Sequence, residues 1–187
     1  MFWKKYKLSK KKYKCTKCGI EHGSLPALAF IQPYYYEILS DNDRKEIAEC
    51  SDDFCIIHHP EQTDFFIRAV MTINIINSCE SLDYGIWVSL SEKNFRDYEE
   101  NFTKETNEPI YFGMICNEIK DYVDSTLGLH VNVQFRSGGI RPEIIPHLAE
   151  HQLIKDWESG IIYENALERI EKTKKNAPNT RLCSQTG

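Results

Sequence analysis

From Asp53 onward the chain turns into short β-rich runs separated by turn residues, and this pattern limits its possible folds more than any other. Residues 54–57, 64–76 and 84–90 are rich in Ile, Val, Phe and Tyr, and they predict neighbouring antiparallel strands. The cleanest alternation follows later. Leu127, Leu129, Val131, Val133 and Phe135 share one parity, and His130, Asn132 and Gln134 the other, which is the mark of a strand with one face buried and one in water. Ser137-Gly138-Gly139 then allows a hairpin into residues 140–145, where Pro142 predicts an edge position.

Helical signals flank these strands. Residues 40–50 read as a short helix, with Ser40 or Asp41 as cap and acids in the first turn, where the helix dipole favours them. Ser89-Leu-Ser-Glu92 has the form of a capping box and opens a helix that places Phe95, Tyr98 and Phe102 on one face. Residues 110–115 read as a buried strand or a turn. The end of the chain predicts helices over 149–157 and 164–172, broken at Gly160. Strands in the middle and helices at the end give an α+β fold: one domain with a mainly antiparallel sheet and flanking helices. Its expected span is 15–173, between a flexible basic arm (1–14) and a loose polar tail (174–187).

Composition narrows the class. With 41% hydrophobic and 27% charged residues the chain is that of a soluble globular protein, and no apolar run reaches the ~20 residues that span a bilayer. The N-terminus lacks the apolar core of a secretory signal, and seven cysteines, an odd number, suit a reducing compartment; the expected location is the cytoplasm. The net charge of −5 hides an asymmetry. Residues 1–14 hold seven lysines and no acid, so the rest of the chain stands at −5 − 7 = −12. An acidic body repels polyanions, which sets nucleic-acid binding through the lysine arm below protein binding.

Chemistry is concentrated in Cys15-Thr-Lys-Cys18-Gly19-Ile-Glu-His22. Two cysteines flanking a tight turn present both sulfurs to one ion, and a structural Zn2+ needs four ligands. The remaining two would come from His22, Cys50, Cys55 or a later histidine, with His22 and Cys55 preferred. Free thiols in a surface turn are the alternative. Arg68 and Arg141 lie in or beside apolar strands, where a guanidinium requires a carboxylate, an anion or water. With His151 they outline a possible ligand pocket, and pairing with the body's own acids is the plainer expectation. His147 and His151 are four apart, a spacing that brings two imidazoles together on a helix. Cys79 and Cys116 carry no nucleophile motif. Tyr34, Tyr35 and Tyr36 cannot all face one side of a regular element, which makes them a candidate interface.

The chain resembles a bacterial family known as domain of unknown function 2199. The resemblance rests on the Cys15–His22 stretch with Pro26, on Asp53-Phe-Cys-Ile56, Phe65-Phe-Ile-Arg68, the run from Gly85 to Phe95, Pro109-Ile-Tyr-Phe-Gly113, Arg141-Pro142 and His151-Gln152. It spans residues 13 to 172 and implies a single bacterial cytoplasmic domain with Cys55 drawn toward the N-terminal turn; it brings no activity with it. The function expected from these readings is a non-catalytic protein-binding or regulatory domain with a structural zinc site and an unknown protein partner. An immunity-type protein that neutralises a basic toxin is one concrete form. An enzyme built around Arg68, Arg141 and His151 is the reading from another class.

Overall fold

The computed structural model describes residues 12–14, 21–23, 25–105, 108–176 and 180–183. In chain order the strands are β1 (Lys12–Lys14), β2 (Glu21–Gly23), β3 (Ala27–Phe30), β4 (Ala48–Cys50), β5 (Phe54–His58), β6 (Thr63–Asn74), β7 (Ser81–Leu90), β8 (Ile110–Ile115), β9 (His130–Gln134), β10 (Glu143–Pro146) and β11 (Thr180–Cys183). The helices are α1 (Tyr34–Glu37), α2 (Asp41–Glu46), α3 (Glu92–Asn101), α4 (Gln152–Ser159) and α5 (Tyr163–Asn176).

Strands β6 to β10 close into a barrel. Each pairs antiparallel with the next, from the ten-residue β6–β7 ladder to the β9–β10 hairpin, and β10 returns to β6 in parallel through Glu143 and Val70. Parity dictates that last pairing, because the first and fifth strands of an alternating series run the same way. On one edge β6 continues into β5 and β4; on the other β7 carries β3 and then β11. The expectation of an α+β domain with a mainly antiparallel sheet therefore holds, and the sheet is also closed.

Closure corrects the reading of Pro142. Strand β10 is internal, not at an edge. The proline precedes it, where its missing N–H is not needed, and its carbonyl accepts a hydrogen bond from the Val70 amide at 2.9 Å. Helix α2 stops at Glu46, short of the expected 50, because Ala48–Cys50 pair with β5. Ser40 caps it as expected, accepting from the Asp43 amide at 3.1 Å. The cap of α3 is Ser91, which accepts from the Asn94 amide; Ser89 is still in β7, opposite Phe66. Strand β11 lies within the stretch expected to be a loose tail.

Two cores follow from the pleat. The interior holds Ile67, Ala69, Met71 and Ile73 of β6 against Val88, Ile86, Tyr84 and Leu82 of β7, with Val131 and Val133 of the alternating strand opposite. Helix α3 caps this core with the predicted aromatic face, Phe95 and Tyr98 packing edge-on or tilted against Phe54 and Phe135. Outside the barrel a smaller core of Cys55, Ile57, Phe66, Trp87 and Cys116 is covered by the segment carrying α1 and α2.

Candidate functional site

Strand β8 is apolar on both faces, and only one faces a core. Tyr111 and Ile115 point inward, whereas Ile110, Phe112 and Met114 are exposed by 58%, 50% and 39% on the outer wall. The expectation of a buried strand thus holds for one face alone. Its pairing is also one-sided. Strand β9 runs along Ile110 to Met114, but β7 meets β8 only at Val88–Ile115 and Ser89–Met114, so residues 110–113 have a strand neighbour on one side. Gly113 makes this junction possible: a Cβ there would lie 2.8 Å from the Ser89 carbonyl oxygen.

Beside this strand lies an open groove of about 780 Å3, bounded by the β5–β6 turn, the end of β7 and β8 itself. Phe65, Leu90, Phe112 and Met114 supply its apolar wall. Glu61, Asp64 and Glu92 line it, and among the described residues no lysine or arginine does. Asp64 sits 3.3 Å from His59, and Arg96 reaches Glu92 at 4.0 Å from outside the lining. Phe112 also packs on His130 and His147, with ring centres 5.1 and 5.8 Å apart.

A second cavity, about 440 Å3, is lined by Leu28, Phe30, Tyr34, Tyr84, Asn117 and Lys172 among others. Tyr84 links it to a buried polar cluster, donating to Asp121 at 3.1 Å while Arg169 donates to the Tyr84 oxygen at 3.3 Å. Burial, followed by the Asp121 charge, holds the Tyr84 hydroxyl well above the ordinary tyrosine range. It is a hydrogen-bonding group here, not an acid.

The residues singled out by sequence are dispersed. Cys15 and Cys18 lie outside the described residues, as do residues 1–11 of the basic arm; the backbone of His22 is in β2, opposite Tyr13. Among the described residues no group of three or more His, Cys, Asp or Glu side chains is arranged to hold a metal. Cys55 is fully buried in β5, directly opposite Cys50 in the β4–β5 hairpin. The interaction between the two thiols lowers Cys50 from the ordinary thiol range against the effect of burial, and together with burial it raises Cys55. Burial pushes the Cys116 thiol up to about 12, so it is a small hydrophobe at neutral pH.

Arg68 and Arg141 meet at one turn, Asp52–Asp53. Arg68 is buried in β6, and its Nη1 donates to the Asp52 carbonyl at 3.4 Å; the Arg141 Nε donates to the Asp53 carboxylate at 2.6 Å. His151 is engaged elsewhere. Its Nδ1 caps α4 by accepting from the Leu153 amide at 3.0 Å, which leaves Nε2 to donate to the Asp124 carbonyl at 3.3 Å. None of the three lines either cavity. His147 precedes α4 instead of sharing a helix face with His151, and its Nε2 bonds the Asn132 side chain at 2.8 Å.

The three tyrosines form α1, a single turn, and point three ways as their spacing requires. Tyr35 stacks on Phe66, Tyr36 lies beneath the Arg44 guanidinium, and Tyr34 faces the second cavity. Arg44 also closes the helix end, donating to the carbonyls of Tyr36 and Glu37. The groove beside β8 had a signal in the sequence that went unused, since Ile110-Tyr-Phe-Gly-Met-Ile115 is apolar at both parities and one strand face cannot enter the barrel. The helical reading of 40–50 hid the pairing of Cys50 with Cys55 across β4–β5.

No helix among the described residues is long and apolar enough to cross a membrane. No curated protein and no solved structure matches the chain. Residues 14–161, which include the whole barrel, its outer groove and α4, match a family described as an uncharacterised protein conserved in bacteria, and the chain therefore belongs to DUF2199.

Proposed function

We propose that this is a non-catalytic protein-binding domain whose contact surface is the groove beside β8, and that its partner presents a basic, extended segment. The outward row of Ile110, Phe112 and Met114 carries the reading. A barrel that fills its own interior gains nothing from three large apolar residues in water, and covering them returns about 25 cal/mol for each Å2 removed from solvent. The half-paired strand favours an extended occupant, which adds main-chain hydrogen bonds along residues 110–113 and side chains over the apolar row. The lining carboxylates Glu61, Asp64 and Glu92 select for lysine and arginine.

Peptides selected from a random displayed library on the immobilised full-length protein test this. They should combine alternating apolar residues with basic ones and weaken about tenfold or more on Phe112→Ser, with a further loss at high salt. Phe112 is half-exposed and packs on His130 and His147, so the variant should fold with only a small loss of Tm. Selected peptides that are not basic, or that bind the variant as well as the wild type, would sink the proposal.

The same reading retains a structural zinc site at the N-terminus, with Cys15, Cys18 and His22 as donors. In support, the β1–β2 register pairs Lys14 with Glu21, the residues that flank in sequence the segment carrying both cysteines. Cys55 is not counted among the donors, because it is fully buried in the outer core opposite Cys50. When bound, the ion would tie the N-terminal hairpin together. Elemental analysis of protein purified without chelator should find about one zinc per chain, lost in the Cys15→Ser/Cys18→Ser double variant. Metal-free reduced protein, or zinc retained in the variant, would remove this site.

A further inference from the structure

The β4–β5 hairpin places two cysteines directly opposite each other. Cys50 faces Cys55 in the register, and the bonds on either side fix what kind of pair they make. The Ser51 amide donates to the Phe54 carbonyl and the His58 amide to the Ile47 carbonyl, each at 2.7 Å. Hydrogen-bonded pairs alternate with non-hydrogen-bonded ones along an antiparallel ladder, so Cys50–Cys55 falls at a non-hydrogen-bonded position. Facing Cα atoms there are about 4.5 Å apart, within the roughly 4.4–6.8 Å that a disulfide spans.

Access is unequal. Cys55 is fully buried, while Cys50 is half-buried on the outermost strand of the sheet. Tyr36, Leu39 and Ile47 pack against the outer core in which the pair lies.

We propose that Cys50 and Cys55 are a reversible dithiol–disulfide pair whose oxidant is hydrogen peroxide. The sulfur of Cys50, as thiolate, attacks one peroxide oxygen; the O–O bond breaks, and the departing hydroxide takes a proton to become water. Cys50 is then a sulfenic acid. The sulfur of Cys55 attacks it, the S–O bond breaks as the S–S bond forms, and the hydroxyl leaves with the Cys55 proton as a second water. Two thiols are oxidised to one disulfide, and one peroxide is reduced to two waters. The hairpin is already closed by its ladder over a very short turn, so the crosslink removes little chain entropy. A sensor suits that position better than a permanent staple. The assignment is independent of the groove beside β8.

Full-length reduced protein, treated with stoichiometric hydrogen peroxide and then alkylated with iodoacetamide in denaturant, is mapped by peptide mass spectrometry. The expected result is a Cys50–Cys55 peptide that is unalkylated and lighter by two hydrogens, restored to two alkylated thiols when reductant precedes alkylation. The exposed Cys79 serves as the reference thiol. In Cys55→Ser, Cys50 should stop at the sulfenic acid and be trapped by dimedone. Cys50 and Cys55 both alkylated at a dose that oxidises Cys79, or Cys55 joined to any other cysteine, would overturn the proposal. The wild-type map decides this even if the variant fails to fold.

Discussion

Replacing Asp156 with alanine should destabilise the fold by about 3–5 kcal/mol, the usual consequence of stranding one member of a buried ion pair. Asp156 is on α4 and Arg169 on α5; they meet at 2.5 Å with side chains only 10% and 11% exposed. The carboxylate is fully used, since one oxygen also accepts from the Tyr122 hydroxyl at 3.0 Å and the other from Gln152 at 2.7 Å. Arg169 reaches further, donating to the oxygens of Tyr122 and Tyr84 at 2.8 and 3.3 Å, with its guanidinium over the Tyr122 ring. Burial works against the Arg169 charge, and the two tyrosines and Asp156 outweigh it, so the guanidinium keeps its proton more firmly than usual. Alanine at 156 would leave that charge among neutral hydroxyls. Urea denaturation of the wild type, Asp156→Ala, Arg169→Leu and the double variant measures the effect. The double variant should lose less than the sum of the two single losses, because it removes the stranded charge together with its partner. A loss below about 1 kcal/mol for Asp156→Ala would mean that water replaces the carboxylate, as at exposed pairs.

This cluster was invisible in the sequence because its members are scattered over positions 84, 121, 122, 156 and 169. What could be read was local. The expected start at Leu127 is instead a turn through Gly128, but residues 130–134 gave their strand away, since Val131 and Val133, with Phe135 after them, enter the barrel. Phe95, Tyr98 and Phe102 gave away a helix face for the same reason. Closure had no local signature: it depends on β10 meeting β6 through one parallel pair, and Pro142 looked like an edge because its carbonyl, not its absent amide, makes the contact. Arg68 and Arg141 were expected to find a carboxylate, an anion or water. Arg141 found the Asp53 carboxylate, and Arg68 donates to the Asp52 carbonyl, a partner that no charge pattern foretells. His151 looked like a site residue and serves as a helix cap, a role usually held by Ser, Thr, Asp or Asn.

Gly160→Ala should cost about 3 kcal/mol or more, and the reason is its surroundings as much as its backbone. The residue ends α4 with φ 79° and ψ 172°, a region essentially reserved for glycine, where another residue costs about 1–3 kcal/mol. Its neighbours add a second penalty. A Cβ would sit 2.8 Å from the Asn74 carbonyl oxygen and 3.2 Å from the Ile76 side chain. That carbonyl cannot withdraw freely: it accepts from the Ile161 amide at 2.9 Å, and the Ile76 amide returns a bond of 2.9 Å to the Ile161 carbonyl. Through these bonds the turn docks α4 and α5 onto the end of β6, so a shift at Gly160 reaches the Asp156–Arg169 pair. Gly139→Ala is the control, since that residue has φ 77° but no atom within 4 Å of a would-be Cβ. Thermal denaturation should place Gly160→Ala well below Gly139→Ala. Equal losses would assign the whole effect to backbone conformation and leave the close approach to Asn74 without energetic weight.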